Sequence, residues 1–440
     1  MSKIEQILEY ATHAGADAAD ALYVHGVDVS VACRKGKQEE LERSESSGIG
    51  LRVWNGKRQA TVSTSDMSDD SLKVLAERAL AMAKVATEDP FSMLADATLL
   101  ADDVPELELS DTHEPDALTL QDMAMQAESA ALEVEGITNS EGADAAFNKS
   151  TIALATSHGF RGEFIDTSFS MSVSVLAGKG DKMERDYDYA LSRFFADLPK
   201  PETIGKKAAE LALKRLNPHK KATCKAPIIF DPRVSRSLLG SFAGAINGSS
   251  IARGTSFLKD SMGKKIFADG VTIVDDPLIV RGLASQPFDA EGVAVKKRHF
   301  VEDGTLNSWI LDTRSAAQLG MSTTGHASRG LGGNPHPSSS NFYMQNGKVS
   351  VSDLIGDVKD GFYVTETFGM GVNLITGDYS QGASGFWIEN GEITYAVSEL
   401  TIAGQLKEMF AHITPANDLT FRYGTNAPTL RVDGMTIAGT

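Results

Sequence analysis

The amino-acid sequence predicts an α+β fold, with N-terminal α/β-type lobes followed by a β-rich C-terminal domain. Three observations carry this. Segments with helical apolar spacing alternate with β-branched runs over the first half. The same order of helix, strands and helix recurs in a middle segment. From Ile228 onward, glycine-rich loops become frequent and the apolar runs short. The chain has 440 residues, enough for two or three domains of about 100–200 residues. The expected divisions are an N-terminal α+β domain over 1–101, a middle α+β domain over 112–219 and a β-rich domain over 226–440.

The first element is a helix. Ser2 and Glu5 have capping-box spacing, Ile4, Ile7, Leu8 and Ala11 share a face, and Gly15 supplies a stop. Ala21 to Val31 is apolar and β-branched and reads as a strand, with Gly26 as a turn or bulge. Gly48 to Trp54 is a second strand leading into Asn55-Gly56, a hairpin signal in which both turn residues take positive φ. Gln59 to Thr64 returns. A second helix runs from about Asp69 to Val85, with Leu72, Leu75, Ala76, Ala79 and Ala83 on one face, and Glu88-Asp89-Pro90 ends it. The acidic, irregular stretch 102–115 reads as a linker.

In the middle segment a helix spans about Leu118 to Leu132. The strands Ile152 to Thr156 and Phe164 to Leu176 alternate apolar with polar residues, which suits a sheet with one wet face. A helix from Thr203 to Leu216 closes at Asn217-Pro218. Further on, Ile228 to Phe230 is a buried strand, and Asp231-Pro232 opens a helix from Arg233 to about Ile246. Strands are expected at Val271–Val274, Trp309–Leu311, Gly361–Glu366, Gly385–Glu389 and Glu392–Val397, the last two joined at Asn390-Gly391. Leu400 to His412 reads as a late helix. Thr429–Val432 and Met435–Ala438 read as two closing strands.

Composition narrows the function. Hydrophobic residues make up 42 % and charged residues 23 %, so a large core can form. The net charge of −17 argues against a general nucleic-acid binder, which needs a basic surface to displace counterions. The clusters Lys220-Lys221 and Lys296-Lys297-Arg298 are short and read as solvated loop charges. Cys33 and Cys224 lie far apart and form neither a zinc knuckle nor a CxxC pair. No window reaches the ~18 uninterrupted apolar residues of a membrane span. The opening MSKIEQILEY is polar and helical, unlike a signal peptide. A cytoplasmic, reducing location is therefore expected.

A helical zinc site needs two histidines one turn apart and a glutamate to activate water. The nine histidines include no such pair. His113-Glu114 is followed by Pro115 and no second histidine. His326 and His336 share the loop 325–340, which has no Asp or Glu of its own. That loop could hold a metal with an outside ligand, contact a substrate or partner, or be an ordinary connection. Gly382-Ala383-Ser384-Gly385 lacks the spacing of a nucleophile elbow, and Gly248-Ser249-Ser250 lacks the strand before it. Cys224 has only His219 nearby. Gly48-Ile49-Gly50 has no helix after it to form a phosphate loop. Asp275-Asp276-Pro277 reads as a turn or, less commonly, a cation site.

A series of short motifs runs through the chain in order. They are Ser47-Gly48-Ile49-Gly50-Leu51-Arg52-Val53, Ile228-Ile229-Phe230-Asp231-Pro232, Arg253-Gly254-Thr255-Ser256-Phe257-Leu258 and Val274-Asp275-Asp276-Pro277. Phe288-Asp289-Ala290-Glu291-Gly292, Ser322-Thr323-Thr324-Gly325, Gly377-Asp378-Tyr379-Ser380, Ile388-Glu389-Asn390-Gly391 and Asn417-Asp418-Leu419 follow. Each is weak alone. Together, over essentially the whole length, the chain resembles the TldD/PmbA family of bacterial peptidases, once described as modulators of DNA gyrase. It is most similar to the PmbA branch, also called TldE.

The resemblance implies a division of labour. TldD-type chains carry an HExxxH zinc motif on the helix after the first strand of a peptidase-like C-terminal domain, and PmbA-type chains pair with them and lack it. In this chain the histidine positions fall on Leu239 and Gly244 and the glutamate position on Gly240. The late cysteine ligand of the active branch is also missing from Tyr423-Gly424-Thr425-Asn426-Ala427-Pro428. The resemblance thus implies no metal and no catalytic residue in this chain, with zinc in a TldD-type partner of a heterodimer. It allows a homodimer of the isolated chain. Peptide is the implied substrate, presented in extended form, and Thr324, Gly325, His326, Asn341 and Phe368 are its candidate contacts. Two alternatives stand: a stand-alone metallopeptidase with an unrecognised site, and a non-enzymatic peptide- or protein-binding regulator.

Overall fold

The computed structural model describes residues 2–439. Helix α1 (Lys3–Ala14) is capped by Ser2 and Glu5 and stops at Gly15, whose φ of 100° suits glycine. Strand β1 (Ala18–Arg34) runs unbroken through Gly26, which pairs with Ser46 on one side and Ser150 on the other. The ladders on both sides keep the chain extended there, so no turn forms. Strand β2 (Lys37–Asn55) begins at Lys37 rather than Gly48. Its first ten residues are exposed, and pairing with β1 rather than any apolar pattern makes them a strand. The connecting turn Lys35-Gly36 has positive φ at both residues, as a type I′ hairpin requires.

At the other end of β2 the turn slips by one residue. Asn55 pairs with Arg58 of β3 (Arg58–Thr64), so the loop is Gly56-Lys57, and only Gly56, at φ 60°, is left-handed. Helix α2 (Asp69–Val85) follows as expected. The middle segment gives α3 (Ala117–Leu132), β4 (Ile137–Thr156), β5 (Arg161–Ala177), β6 (Glu184–Ser192) and α4 (Pro201–Lys214). Strand β4 starts at Ile137, well before Ile152, and β6 was not expected.

All six strands form one antiparallel sheet in the order β3-β2-β1-β4-β5-β6. The β1–β4 pairing makes the first and middle segments halves of that sheet. Odd-numbered residues of β1 face the helices: Ala19 and Ala21 join Ile7, Leu72 and Ala76 in one core, and Val29 and Val31 join Leu120 and Ala208 in another. The even-numbered Leu22 and Val24 face the opposite way, against Phe288 and Leu331 of the C-terminal domain. The segment before α3 is docked rather than loose. Leu107 and Leu109 are buried, and Leu100 bridges to Val293.

In the C-terminal domain, β7 (Cys224–Phe230) pairs in parallel with Asp360–Phe368. That strand pairs with Asp378–Glu389, which pairs with Glu392–Gln405, then Leu430–Ala438, then β7 again. The five strands therefore close into a barrel, which removes free edges. A second sheet runs Thr305–Leu306, Arg298–Glu302, Ile273–Asp275, Phe342–Met344 and Thr425–Asn426. Helix α5 (Pro232–Ala245) follows β7.

Three expectations differ here. Trp309–Leu311 is no strand; its one bridge is Ile310 to Asn247. Leu400–Gln405 continues a strand, with Leu400 and Ile402 buried on one face, and the late helix is only Leu406–Ala411. The two closing strands are one, bent by a bulge between Val432 and Met435.

Candidate functional site

Helix α5 starts where β7 leaves the barrel. Asp231 caps it by accepting from the Arg233 amide at 2.9 Å, and Pro232 fills the first position. Val234, Leu238, Leu239, Phe242 and Ala245 turn inward, and Phe242 sits edge-on to Phe267 at 5.0 Å. The outer face carries Arg233, Arg236, Ser237, Gly240, Ser241 and Gly244.

The three positions implied as counterparts of zinc-site residues therefore do not share a face. Leu239 is core, whereas Gly240 and Gly244 lie outside. Five residues along a helix rotate the side chain by about 140°. A Cβ on Gly240 would meet nothing, and one on Gly244 would meet Leu374 at 2.8 Å. Between Pro232 and Ala245 the helix has no imidazole, thiol or carboxylate. These residues do not fit a zinc ion. Among the described residues no three His, Cys, Asp or Glu side chains gather as a metal site.

The outer face of α5 has a distinct surface at each end. At its start lies a cavity of about 390 Å³ lined by Asp188, Asp231, Arg233, Tyr363, Arg422 and Tyr423. Tyr363 donates to Asp231 at 2.8 Å, and burial together with that carboxylate pushes the phenol above its usual range. Burial pushes Asp188 up as well, against the pull of Arg422. Arg236 lies over the Tyr423 ring at 4.0 Å. Arg233 donates to Asp186 of β6 at 2.9 Å, and Arg215 reaches Glu366 at 2.6 Å and Ser384 at 2.9 Å. This end can hold polar chain groups by hydrogen bonds. At the far end, Leu374 lies against Gly244, and in the same stretch of chain Phe368 is 52 % and Met370 95 % exposed, with Ile375 exposed as well. The hairpin formed by Asp360–Phe368 and Asp378–Glu389 carries them.

The five candidate peptide contacts split into two groups. Thr324 is buried, and its hydroxyl accepts from the Leu311 amide at 2.8 Å and donates to the Leu311 carbonyl at 3.1 Å. Gly325 has φ 72°, with the Ala294 carbonyl oxygen 2.9 Å from where a Cβ would stand. His326 is 2 % exposed; Nδ1 lies 2.8 Å from the Thr324 carbonyl and Nε2 3.2 Å from Asp275 Oδ1. Asn341 donates to the Asp276 carbonyl and to Ser285, and accepts from the Ala284 amide at 3.0 Å. His326 and Asn341 hold the two ends of the 325–340 loop against Asp275 and Asp276, while Thr324 ties its start to Leu311 and Gly325 packs against Ala294. Their polar groups are turned inside the chain, with His326 Nε2 close to Asp275 but making no hydrogen bond among the described residues. Phe368 stands apart, on the barrel.

Sequence reasoning missed the charged groups that join the domains. Arg52 donates from Nε to Asp20 at 3.0 Å, and Arg329 donates to the same carboxylate at 2.6 Å. Burial would raise Asp20, but Arg329 and Arg52 hold it below the usual carboxylate range. Arg52 stands in the Gly-Ile-Gly-Leu-Arg-Val motif, which singled out its glycines and not its charge. Arg329 carried no signal at all.

Matches to known proteins follow the same order of segments. The PmbA/TldA metallopeptidase domain 1 model matches residues 19–83, the central domain 110–216 and the C-terminal domain 223–439. The metalloprotease PmbA of Escherichia coli O157:H7 is 38 % identical over 425 residues, covering 96 % of this chain and 92 % of that one. A Bacteroides thetaiotaomicron structure, by name a modulator of DNA gyrase, superposes with a TM-score of 0.91 at 28 % identity, covering 100 % of this chain and 98 % of that one. TldE of Thermococcus kodakarensis shares the fold, with a TM-score of 0.83 at 21 % identity over the full length of both. No helix among the described residues is long and apolar enough to cross a membrane. With three domain models matched in order and PmbA relatives 38–39 % identical over nearly the whole chain, the chain belongs to the PmbA/TldD metallopeptidase family, in its PmbA branch.

Proposed function

We propose that this chain is the subunit without zinc in a heteromeric peptidase of the cytoplasm, with a TldD-type partner supplying the metal. The observation that carries the reading is the donor set of α5: Leu239 is core and Gly240 and Gly244 have no ligating atom. Without an ion, water keeps its high pKa and stays a poor nucleophile near neutral pH. The role left to the chain is to bind and present peptide. The hairpin with Phe368 offers an exposed apolar surface for that. Thr324, Gly325, His326 and Asn341 would act from behind, by holding the 325–340 loop in shape.

The test is metal analysis and peptide cleavage on the isolated chain, on a TldD-type chain and on their mixture. The expected result is sub-stoichiometric zinc and no cleavage from this chain alone, with cleavage restored by the mixture. The isolated chain is expected to form at most a homodimer in solution. One tightly held zinc per chain together with hydrolysis by the pure protein would overturn the reading.

A further inference from the structure

We infer that a cavity at the seam between the six-stranded sheet and the C-terminal domain is a receptor for a carboxylate carried on an apolar group, with Arg329 as its anion-binding residue. The cavity has a volume of about 230 Å³. Leu22 of β1, Ile152 and Leu154 of β4, Phe164 of β5 and Phe288 of the C-terminal domain wall it, and Arg329 belongs to the same lining. Phe160 and Phe164 meet Phe288 edge-on at 5.0 and 5.5 Å, which fixes the aromatic wall. Ile152 and Phe164 are only half-buried, so the cavity opens on that side.

The Arg329 side chain is 2 % exposed. Its Nη1 donates to Asp20, but Nε and Nη2 have no partner among the described residues. Those two nitrogens share one edge of the planar guanidinium. It is the edge that takes a carboxylate side-on through two parallel hydrogen bonds. A buried donor left bare costs more than a typical hydrogen bond returns, and both nitrogens are covered by protein, so an acid entering from the cavity reaches this edge by moving the side chains between them.

Charge points the same way. Asp20 is shared: Oδ2 accepts from Arg52, and Oδ1 accepts from Arg329. Arg52 has a second carboxylate, Glu291, at 3.7 Å. Arg329 makes no other ion pair among the described residues. Asp289 also lines the cavity but is spent on backbone: Oδ1 accepts from the Glu291 and Val293 amides at 2.9 Å and Oδ2 from the Ala327 amide at 3.0 Å. Burial and the neighbouring Glu291 hold that carboxyl toward its neutral form.

The volume lies below the ~300–1,000 Å³ of sites for drug-sized ligands. The occupant is therefore a small acid, about one amino-acid residue in size. Two sources share that chemistry: the C-terminal residue of a peptide and a free apolar monocarboxylate. The inference needs neither zinc nor a partner chain, so it stands or falls apart from the subunit role proposed above.

Calorimetric titration of the isolated chain tests it, with N-acetyl-L-phenylalanine, its primary amide and 4-phenylbutyrate as probes. N-acetyl-L-phenylalanine is expected to bind at least about tenfold more tightly than its amide, because only the acid pairs with the guanidinium edge. Binding of that acid alone assigns a peptide C-terminus, and binding of 4-phenylbutyrate as well assigns apolar monocarboxylates generally. Arg329→Gln is expected to erase the preference for acid over amide. Ile152→Trp fills the cavity from its open side, leaves the buried charges in place and is expected to abolish binding. Equal affinity for acid and amide, no saturation at millimolar concentration, or binding retained in a folded Ile152→Trp protein would each overturn the inference.

Discussion

Gly325 and Gly240 show how differently two glycines of this chain are used. Gly325 has φ 72°, and the Ala294 carbonyl leaves no room for a Cβ. Gly325→Ala is expected to lower stability by about 1–3 kcal/mol, through left-handed strain and that contact. Gly240 lies on the outer face of a helix with open space beyond it. Gly240→Ala is expected to raise stability by up to about 1 kcal/mol. Urea denaturation of the two variants measures both signs. Asp289 makes a separate prediction. Burial and Glu291 push its carboxyl up to about 7 in the folded chain, from an ordinary 3.8. The folded state then holds a proton that the unfolded state releases, so stability falls as pH rises between those two values. Asp289→Asn is expected to flatten that part of the stability–pH curve, as read by thermal unfolding across pH 4–8. A curve as steep as that of the unmodified protein would contradict the assignment.

At the scale of elements, helices were more legible than strands. The apolar stripe of α2 and the Glu88-Asp89-Pro90 stop after it gave its span, Asp69–Val85. The first half of β2 could not be read that way. Lys37 to Ser46 is a polar, exposed run whose only reason to be extended is the ladder it makes with β1. Side-chain patterns report burial, and a strand edge open to water buries little. Gly50 of the same strand shows what elements do once paired. A Cβ there would overlap the Leu331 carbonyl, because the C-terminal domain rests directly on β2. Gly50→Val is expected to push the loop carrying Leu331 off the sheet. Limited proteolysis should then cut within residues 97–109, which the intact protein keeps docked.

Across the whole molecule, the seam between the sheet and the C-terminal domain combines apolar and ionic contacts. Leu22, Leu154, Phe160 and Phe288 form its apolar core. Arg52, Asp20 and Arg329 form its charged core, with Arg52 and Asp20 almost wholly buried. Arg52→Met removes one cation, leaves Asp20 with Arg329 alone and leaves the buried Glu291 without its cation. The expected cost is about 3–5 kcal/mol. It should change little with added salt, because a buried pair is poorly screened. Chemical denaturation at low and high ionic strength checks both statements. A loss below about 1 kcal/mol would mean that the seam does not depend on this pair.

By itself the sequence determined the α+β class, the caps of α1, the span of α2, the family, and the lack of ligating atoms at Leu239, Gly240 and Gly244. Each of these rests on residue identity or on spacing within one element. Only the tertiary structure decided that the first and middle segments share one sheet, that five C-terminal strands close a barrel, and that Leu239 points away from Gly240 and Gly244. It alone placed Arg329 against Asp20, 309 residues earlier in the chain. A hydrogen bond or a buried charge pair depends on which distant segments meet. Local periodicity carries no record of that meeting, because the free energy that selects it is gained only when the surfaces close.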